Sequence, residues 1–210
     1  VDPSIIRVVP DVLEAYELFL RELVGAGNSV IVPTPAYMPF LSVPKLYDVD
    51  VIEIEMLQSG DAETGEAQWV FDFDAIERAF AAGCHAFVLC NPHNPIGKVL
   101  TLEEELRLSD LAAQYDVRIF NDEIHAPFVF EGKHIPFPTI SEQAALQSMT
   151  ATSASKSFNI PGTKCAQVLP TNPADRDMWA VKAEWSEHQT ATIGASASCS
   201  NSPTRPRARP

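Results

Sequence analysis

With 210 residues, the chain is long enough for one large domain with a full apolar core and too short for two generous ones. Its 15 basic and 28 acidic residues give a formal net charge of −13, which opposes non-specific nucleic-acid binding and favours a soluble acidic protein. Four scattered cysteines with no C-x-x-C pair exclude a zinc-site pattern and a disulfide framework and fit a reducing, cytoplasmic setting; no apolar run is long enough to span a bilayer, and "VDPSIIRVVP" lacks the zones of a signal peptide.

In chain order, short β-rich runs alternate with helical patterns, which predicts a mostly parallel sheet covered by helices. The first strand is expected at Ile5 to Val9. A helix follows from about Asp11 to Ala26, with Val12, Tyr16, Phe19 and Leu23 on one face and "GAG" closing it. Strands at Ser29 to Pro33 and Val51 to Ile54 precede a second helix, Phe73 to Ala82, which has Asp72 as N-cap and Gly83 after its end. A strand at Ala86 to Cys90 leads to a third helix, Leu102 to Tyr115, whose Thr101 and Glu104 have capping-box spacing. Further strands are expected at Val117 to Asn121, Ser148 to Ser153 and Cys165 to Leu169. Asn172 then caps a fourth helix with Pro173 in its first turn.

Residues 1–194 thus read as one α/β domain. From Ala195 the sequence "ASASCSNSPTRPRARP" carries three arginines, three prolines and no acid, a composition that builds no core. The preceding helical pattern breaks off in "TATIGA", which reads as a truncation or a shifted reading frame and makes the domain incomplete.

Three strand ends carry candidate chemistry. "CNPHNPIGK" ends a buried strand in two Asn-Pro steps; taken alone it is a turn. "VRIFNDEIH" places Asn121, Asp122 and Glu123 at the carboxyl edge of another strand, where open α/β sheets bind ligands, although a carboxylate there also serves as a loop cap. Lys156 follows a third strand, in "TATSASKSFNIPG", among small hydroxyl residues. An amide, an acid and an amine converging on one crevice favour a site. The histidines show no metal-ligand spacing, so no metal is assigned.

Together, "TPAYMPF", "NPHNPIGK", "NDEIHAPFVF", "GKHIPF" and "SASKSFNIPGTKCA" resemble the fold-type I pyridoxal-phosphate enzymes of the aminotransferase class I/II family, and within it the bacterial carbon–sulfur lyases of the cystathionine β-lyase type. The match covers most of Ile5 to Gly194. The resemblance implies a three-layer αβα sandwich with a seven-stranded, mainly parallel sheet whose last strand is antiparallel. It also implies pyridoxal 5'-phosphate as cofactor, an amino acid as substrate, and a homodimer in the full-length lineage. Two parts that relatives possess, an N-terminal segment and a small C-terminal domain gripping the substrate carboxylate, are expected to be missing from the match.

Residue by residue, the resemblance makes Lys156 the amine that bonds the cofactor and then moves protons at the substrate carbon. Asp122 faces the ring nitrogen, Asn94 and His125 face the ring's 3-oxygen, and Tyr37 stacks on the ring. His125 stands where many relatives carry tyrosine. Ser153, Lys164 and the backbone N–H groups near Val12 and Leu13 take the phosphate; Ser155 either helps or packs, and Asp11 beside an anion is unfavourable unless it serves as the helix cap. Three readings follow: a carbon–sulfur β-lyase acting on cystathionine or cysteine conjugates, an aminotransferase on the same chassis, and a non-catalytic remnant that binds cofactor.

Overall fold

Nine strands and six short or medium helices make up the computed structural model, which describes residues 2–60 and 68–176. The strands are β1 (Arg7–Val9), β2 (Ser29–Thr34), β3 (Asp50–Glu55), β4 (Leu57–Ser59), β5 (Gln68–Val70), β6 (Ala86–Cys90), β7 (Arg118–Asp122), β8 (Ser148–Ser153) and β9 (Ala166–Pro170). The helices are α1 (Val12–Phe19), α2 (Pro39–Ser42), α3 (Phe73–Ala81), α4 (Leu102–Gln114), α5 (Glu142–Gln147) and α6 (Ala154–Ser157).

Seven strands form one sheet in the order β1-β9-β8-β7-β6-β2-β3, with β4 and β5 as a separate hairpin pair. All neighbours in the large sheet pair in parallel except those of β9, which runs antiparallel to both β1 and β8. Two antiparallel steps restore direction, so β1 runs the same way as β8. Its carboxyl end therefore lies on the same edge of the sheet as those of β6, β7 and β8.

Both faces of the sheet are covered, as its strand sequences require. On one face Val30, Val32, Val88, Cys90 and Phe120 join Tyr16 and Phe19 of α1 and Phe40 of α2. On the other, Ile31, Phe87, Leu89 and Ile119 join Ile76 and Phe80 of α3, Leu108 of α4 and Ala144 of α5. Successive residues of one strand thus fill two different cores, which produces the predicted three layers. Phe120 packs at the centre of the first core, its ring centroid 5.0 Å from that of Tyr16 and 5.6 Å from that of Phe19. Burying one such side chain contributes about 1.5–3 kcal/mol.

Helix starts follow the sequence closely. Asp11 Oδ1 accepts from Glu14 N–H at 3.0 Å and Asp72 Oδ1 from Ala75 N–H at 2.8 Å. The Thr101–Glu104 capping box is complete in both directions. The first helix differs from expectation in its end: after Phe19 it widens into a π-helical turn, Leu20–Val24, and stops at Gly25, which has φ 81°. The apolar stripe continues through Leu20 and Val24, so periodicity alone reads it as one regular helix. Similarly, β1 is shorter than expected because Pro3–Ile5 form a 3₁₀ turn whose cap is the Asp2 side chain. Asn172 caps as predicted, accepting from Ala174 N–H at 2.9 Å. The rest of the fourth helix and the segment from Ala195 lie outside the described residues.

Candidate active site

Each loop leaving the shared edge delivers one functional group, and the reasons are local. After β6 the chain meets Pro92 and Pro95, which cannot extend a ladder, and turns back with His93 N–H donating to Lys98 C=O at 2.7 Å. Asn91 is fully buried and sews this turn to α4: its Oδ1 accepts from Leu100 N–H (3.1 Å) and its Nδ2 donates to Glu105 Oε1 (2.7 Å). The first asparagine of the motif therefore builds the loop, and the second, Asn94, lines the cavity below it.

The register Cys90, Asp122, Ala151 across three parallel strands sets Asp122 in the middle of the sheet edge. Its Oδ1 accepts from Ile124 N–H at 3.0 Å, which turns the chain and presents His125. Burial raises the Asp122 carboxyl to about 7, against the opposing pull of the Lys156 ammonium. Burial and the same ammonium hold His125 below its ordinary value, which favours a neutral ring.

Strand β8 ends at Ser153, whose Oγ donates to Cys165 C=O at 2.8 Å and accepts from Ser155 N–H at 3.1 Å. That second bond starts the single turn α6, and Lys156 rides on it. The small hydroxyl residues before the lysine thus convert a strand directly into a helical turn. Farther on, Lys164 adopts a left-handed conformation, φ 49° and ψ 54°, a costly choice for a residue with a side chain and one that clusters at functional sites.

All nine sequence-predicted residues, Val12, Leu13, Tyr37, Asn94, Asp122, His125, Ser153, Lys156 and Lys164, line one cavity of about 210 Å³. Lys164 pairs with Asp11 at the start of α1, and Ser153 Oγ bonds the carbonyl of Cys165, so these residues line the cavity beside the first turn of α1, a place that suits an anion. Asp122, Asn94, His125 and the half-exposed Tyr37 ring line the same cavity. Asp11 also lines the cavity, where it both caps α1 and pairs with Lys164 Nζ at 2.9 Å.

Sequence reading missed Cys90, Ile124, Pro161 and Cys165 in the lining. Cys90 is a strand residue whose thiol burial keeps protonated, and no motif marks it. Also missed is a buried polar cluster behind Asp122. Glu123 Oε1 accepts from Asn121 Nδ2 (2.8 Å) and Phe137 N–H (2.9 Å), and its Oε2 lies 3.3 Å from His134 Nε2. The quoted "GKHIPF" carried a signal for it, since His134 and Phe137 both belong to that motif. Among the described residues no cluster of His, Cys, Asp and Glu is arranged to hold a metal ion, and no helix is long and apolar enough to cross a membrane.

Comparison with known proteins agrees with this architecture. A cystathionine beta-lyase of Corynebacterium glutamicum is 39% identical over 178 residues, covering 85% of this chain and 45% of that protein. Cystathionine beta-lyase PatB of Bacillus subtilis is 30% identical over 171 residues, covering 80% of this chain and 43% of PatB. The crystal structure of cystalysin from Treponema denticola, which contains a pyridoxal 5'-phosphate cofactor, superposes with a TM-score of 0.77 at 31% identity, covering 83% of this chain and 43% of cystalysin. The chain thus spans less than half the length of these relatives. The family model described as aminotransferase class I and II matches residues 6–203. With the sheet order, the shared strand edge and a match running nearly end to end, the chain belongs to the aminotransferase class I and II family.

Proposed function

We propose that the protein holds pyridoxal 5'-phosphate in this cavity and works as a carbon–sulfur β-lyase on cystathionine or a related cysteine conjugate. The observation that carries the reading is the convergence of the Lys156 amine, the buried Asp122 carboxyl and the N-terminus of α1 on one cavity. The donor set fits the cofactor chemically. Lys156 is the amine for its aldehyde, and Asp122 is a carboxylate with too little water around it to ionise freely, which gains a charge partner from a cationic ring nitrogen. Ser153, Lys164 and the N–H groups of Val12 and Leu13 suit the phosphate. Asn94 and His125 orient the 3-oxygen, and Tyr37 covers the ring face.

When bound, the cofactor supplies an electron sink for bond breaking at the substrate's α-carbon. The chain's own residues do the rest. Asp122 would hold the ring nitrogen protonated. Lys156 would hold the cofactor and, as a general base, would move the proton at the substrate's α-carbon, a role worth about 10²–10⁴ in rate. The reaction so supported would break the Cβ–S bond and, with water as co-reactant, would give a thiol, pyruvate and ammonia. A homodimer belongs to the same proposal: Phe130 (92% exposed), Met38 (76%) and Phe158 (72%) leave apolar surface for a second copy to cover.

The family also contains aminotransferases, and Lys156 with Asp122 serves that reaction equally. Borohydride reduction in the presence of pyridoxal phosphate, followed by peptide mapping, is expected to label Lys156; a label on another lysine overturns the site. Given cystathionine, the protein is expected to release pyruvate, ammonia and homocysteine with no keto acid added. Turnover that begins only when a keto acid is supplied favours the aminotransferase, and fixation at Lys156 without either reaction favours a cofactor-binding remnant.

A further inference from the structure

The phosphate end of the cavity already contains an anion. Asp11 Oδ1 accepts from Glu14 N–H at 3.0 Å, the N–H of Leu13 faces the same carboxylate, and Oδ2 pairs with Lys164 Nζ at 2.9 Å. These are the groups that a phosphate entering this end would claim: amides of the first turn of α1 and the ammonium of Lys164. Despite partial burial, Asp11 stays ionised more readily than an ordinary aspartate, because its bonds to Glu14 and Lys164 outweigh the loss of water. Lys164 is held over the site in a left-handed conformation, and the carboxylate occupies its ammonium.

We propose that Asp11 is an internal counter-anion that keeps the phosphate subsite self-neutralised, so that a phosphate-bearing ligand must take Lys164 and the α1 amides from it. The inference rests on reading the cavity as a pyridoxal-phosphate site. The exchange is feasible because the pair is half-exposed, with side chains 51% and 42% accessible, and pairs of this kind are weak. It carries a standing cost, because the displaced carboxylate remains within the first turn of the helix, beside the arriving negative charge. Asp11 thereby sets the affinity for phosphate specifically and leaves the ring and aldehyde contacts unaffected.

The test titrates pyridoxal phosphate and pyridoxal, which lacks the phosphate, into the cofactor-free chain, following absorbance. Asp11→Asn keeps a good helix cap and removes the charge; Asp11→Ser does the same with a smaller group. Both variants are expected to bind pyridoxal phosphate about three- to tenfold more tightly than the wild type, with pyridoxal affinity unchanged. Lys164→Met is expected to cost more pyridoxal phosphate affinity in the Asp11→Asn background than in the wild type, because Lys164 is then free to serve the ligand alone. Unchanged or weaker pyridoxal phosphate binding in both Asp11 variants overturns the proposal and makes Asp11 a clamp for Lys164. Equal tightening for both ligands overturns it as well. Borohydride fixation away from Lys156 in the wild type overturns the site reading instead, and this inference with it.

Discussion

His93 donates through Nε2 to the carbonyl of Pro35 at 2.9 Å, which ties the loop carrying Asn94 to the loop carrying Tyr37. Tyr37 and Asn94 reach the cavity from β2 and β6, and this buried imidazole is the polar bridge between their loops. Burial holds His93 below its ordinary 6.5, so the ring is neutral in the folded chain at physiological pH. Because the folded value is depressed, the stability it contributes is complete above pH 6.5 and is lost as the pH falls below it. His93→Ala is expected to lower stability by about 2–4 kcal/mol through a cavity and a lost bond, and to weaken pyridoxal phosphate binding. Thermal denaturation between pH 5 and 8 checks the first effect: the wild-type advantage over the variant should shrink toward pH 5. An advantage that is constant with pH rules out this titration.

Asp122 gives the opposite dependence. Its folded-state value is raised from 3.8 to about 7, chiefly by burial, so the cofactor-free chain has this group's full contribution at low pH and loses it as the pH rises through 7. About three units correspond to at most roughly 4 kcal/mol. Asp122→Asn is therefore expected to gain stability relative to the wild type between pH 5 and 8 in the cofactor-free state, while lowering turnover in the proposed lyase reaction. Denaturant titrations at the two pH values decide it. Parallel pH curves for wild type and variant would mean the carboxyl is ionised throughout.

The two asparagines of "NPHNP" should separate stability from binding. Asn91→Ala strands the Leu100 N–H and leaves buried Glu105 without its donor, at a cost of about 2–4 kcal/mol. Asn94→Ala removes a half-buried cavity-lining amide and is expected to change stability by less than about 0.5 kcal/mol while weakening the cofactor. Melting curves and cofactor titrations on both variants should therefore rank them in opposite orders.

Phe120 tests the fold independently of the chemistry. Its ring meets Tyr16, Phe19 and Phe40, the last at 6.3 Å between centroids, and it is fully buried. Phe120→Ala is expected to cost about 3–5 kcal/mol in chemical denaturation. A cost below 1 kcal/mol would show that this core collapses around the gap.

The parts of the fold that announced themselves in sequence are those where a local rule and a tertiary need coincide. Phe87 and Leu89 alternate with Val88 and Cys90 because each pair fills a different core, and Thr101 and Glu104 cap α4 as their spacing demands. The burial of Glu105 was illegible for the converse reason. Glu103, Glu104 and Glu105 are identical letters in one acidic run, yet Glu103 is exposed and Glu105 is fully buried, raised to about 7 and bonded to Asn91. Only the helix's rotation against the sheet distinguishes them. The nine candidate residues that line the cavity were legible through motifs, whereas Cys90 and Cys165 enter the lining as ordinary strand and loop residues.

The ion pair between Asp11 and Lys164 joins groups 153 positions apart, and among the described residues β1 is bound to the sheet only through β9. During synthesis the first strand and helix therefore wait for nearly all of the described chain before the Asp11–Lys164 side of the cavity is closed. Closing so long a loop is entropically costly and comes late. A ribosome-bound chain halted before Lys164 carries Lys156 and Asp122 but has no closed phosphate pocket. Tight cofactor capture thus reports that synthesis has passed β9, and pyridoxal phosphate added during translation should be retained only by chains that have emerged beyond Pro170.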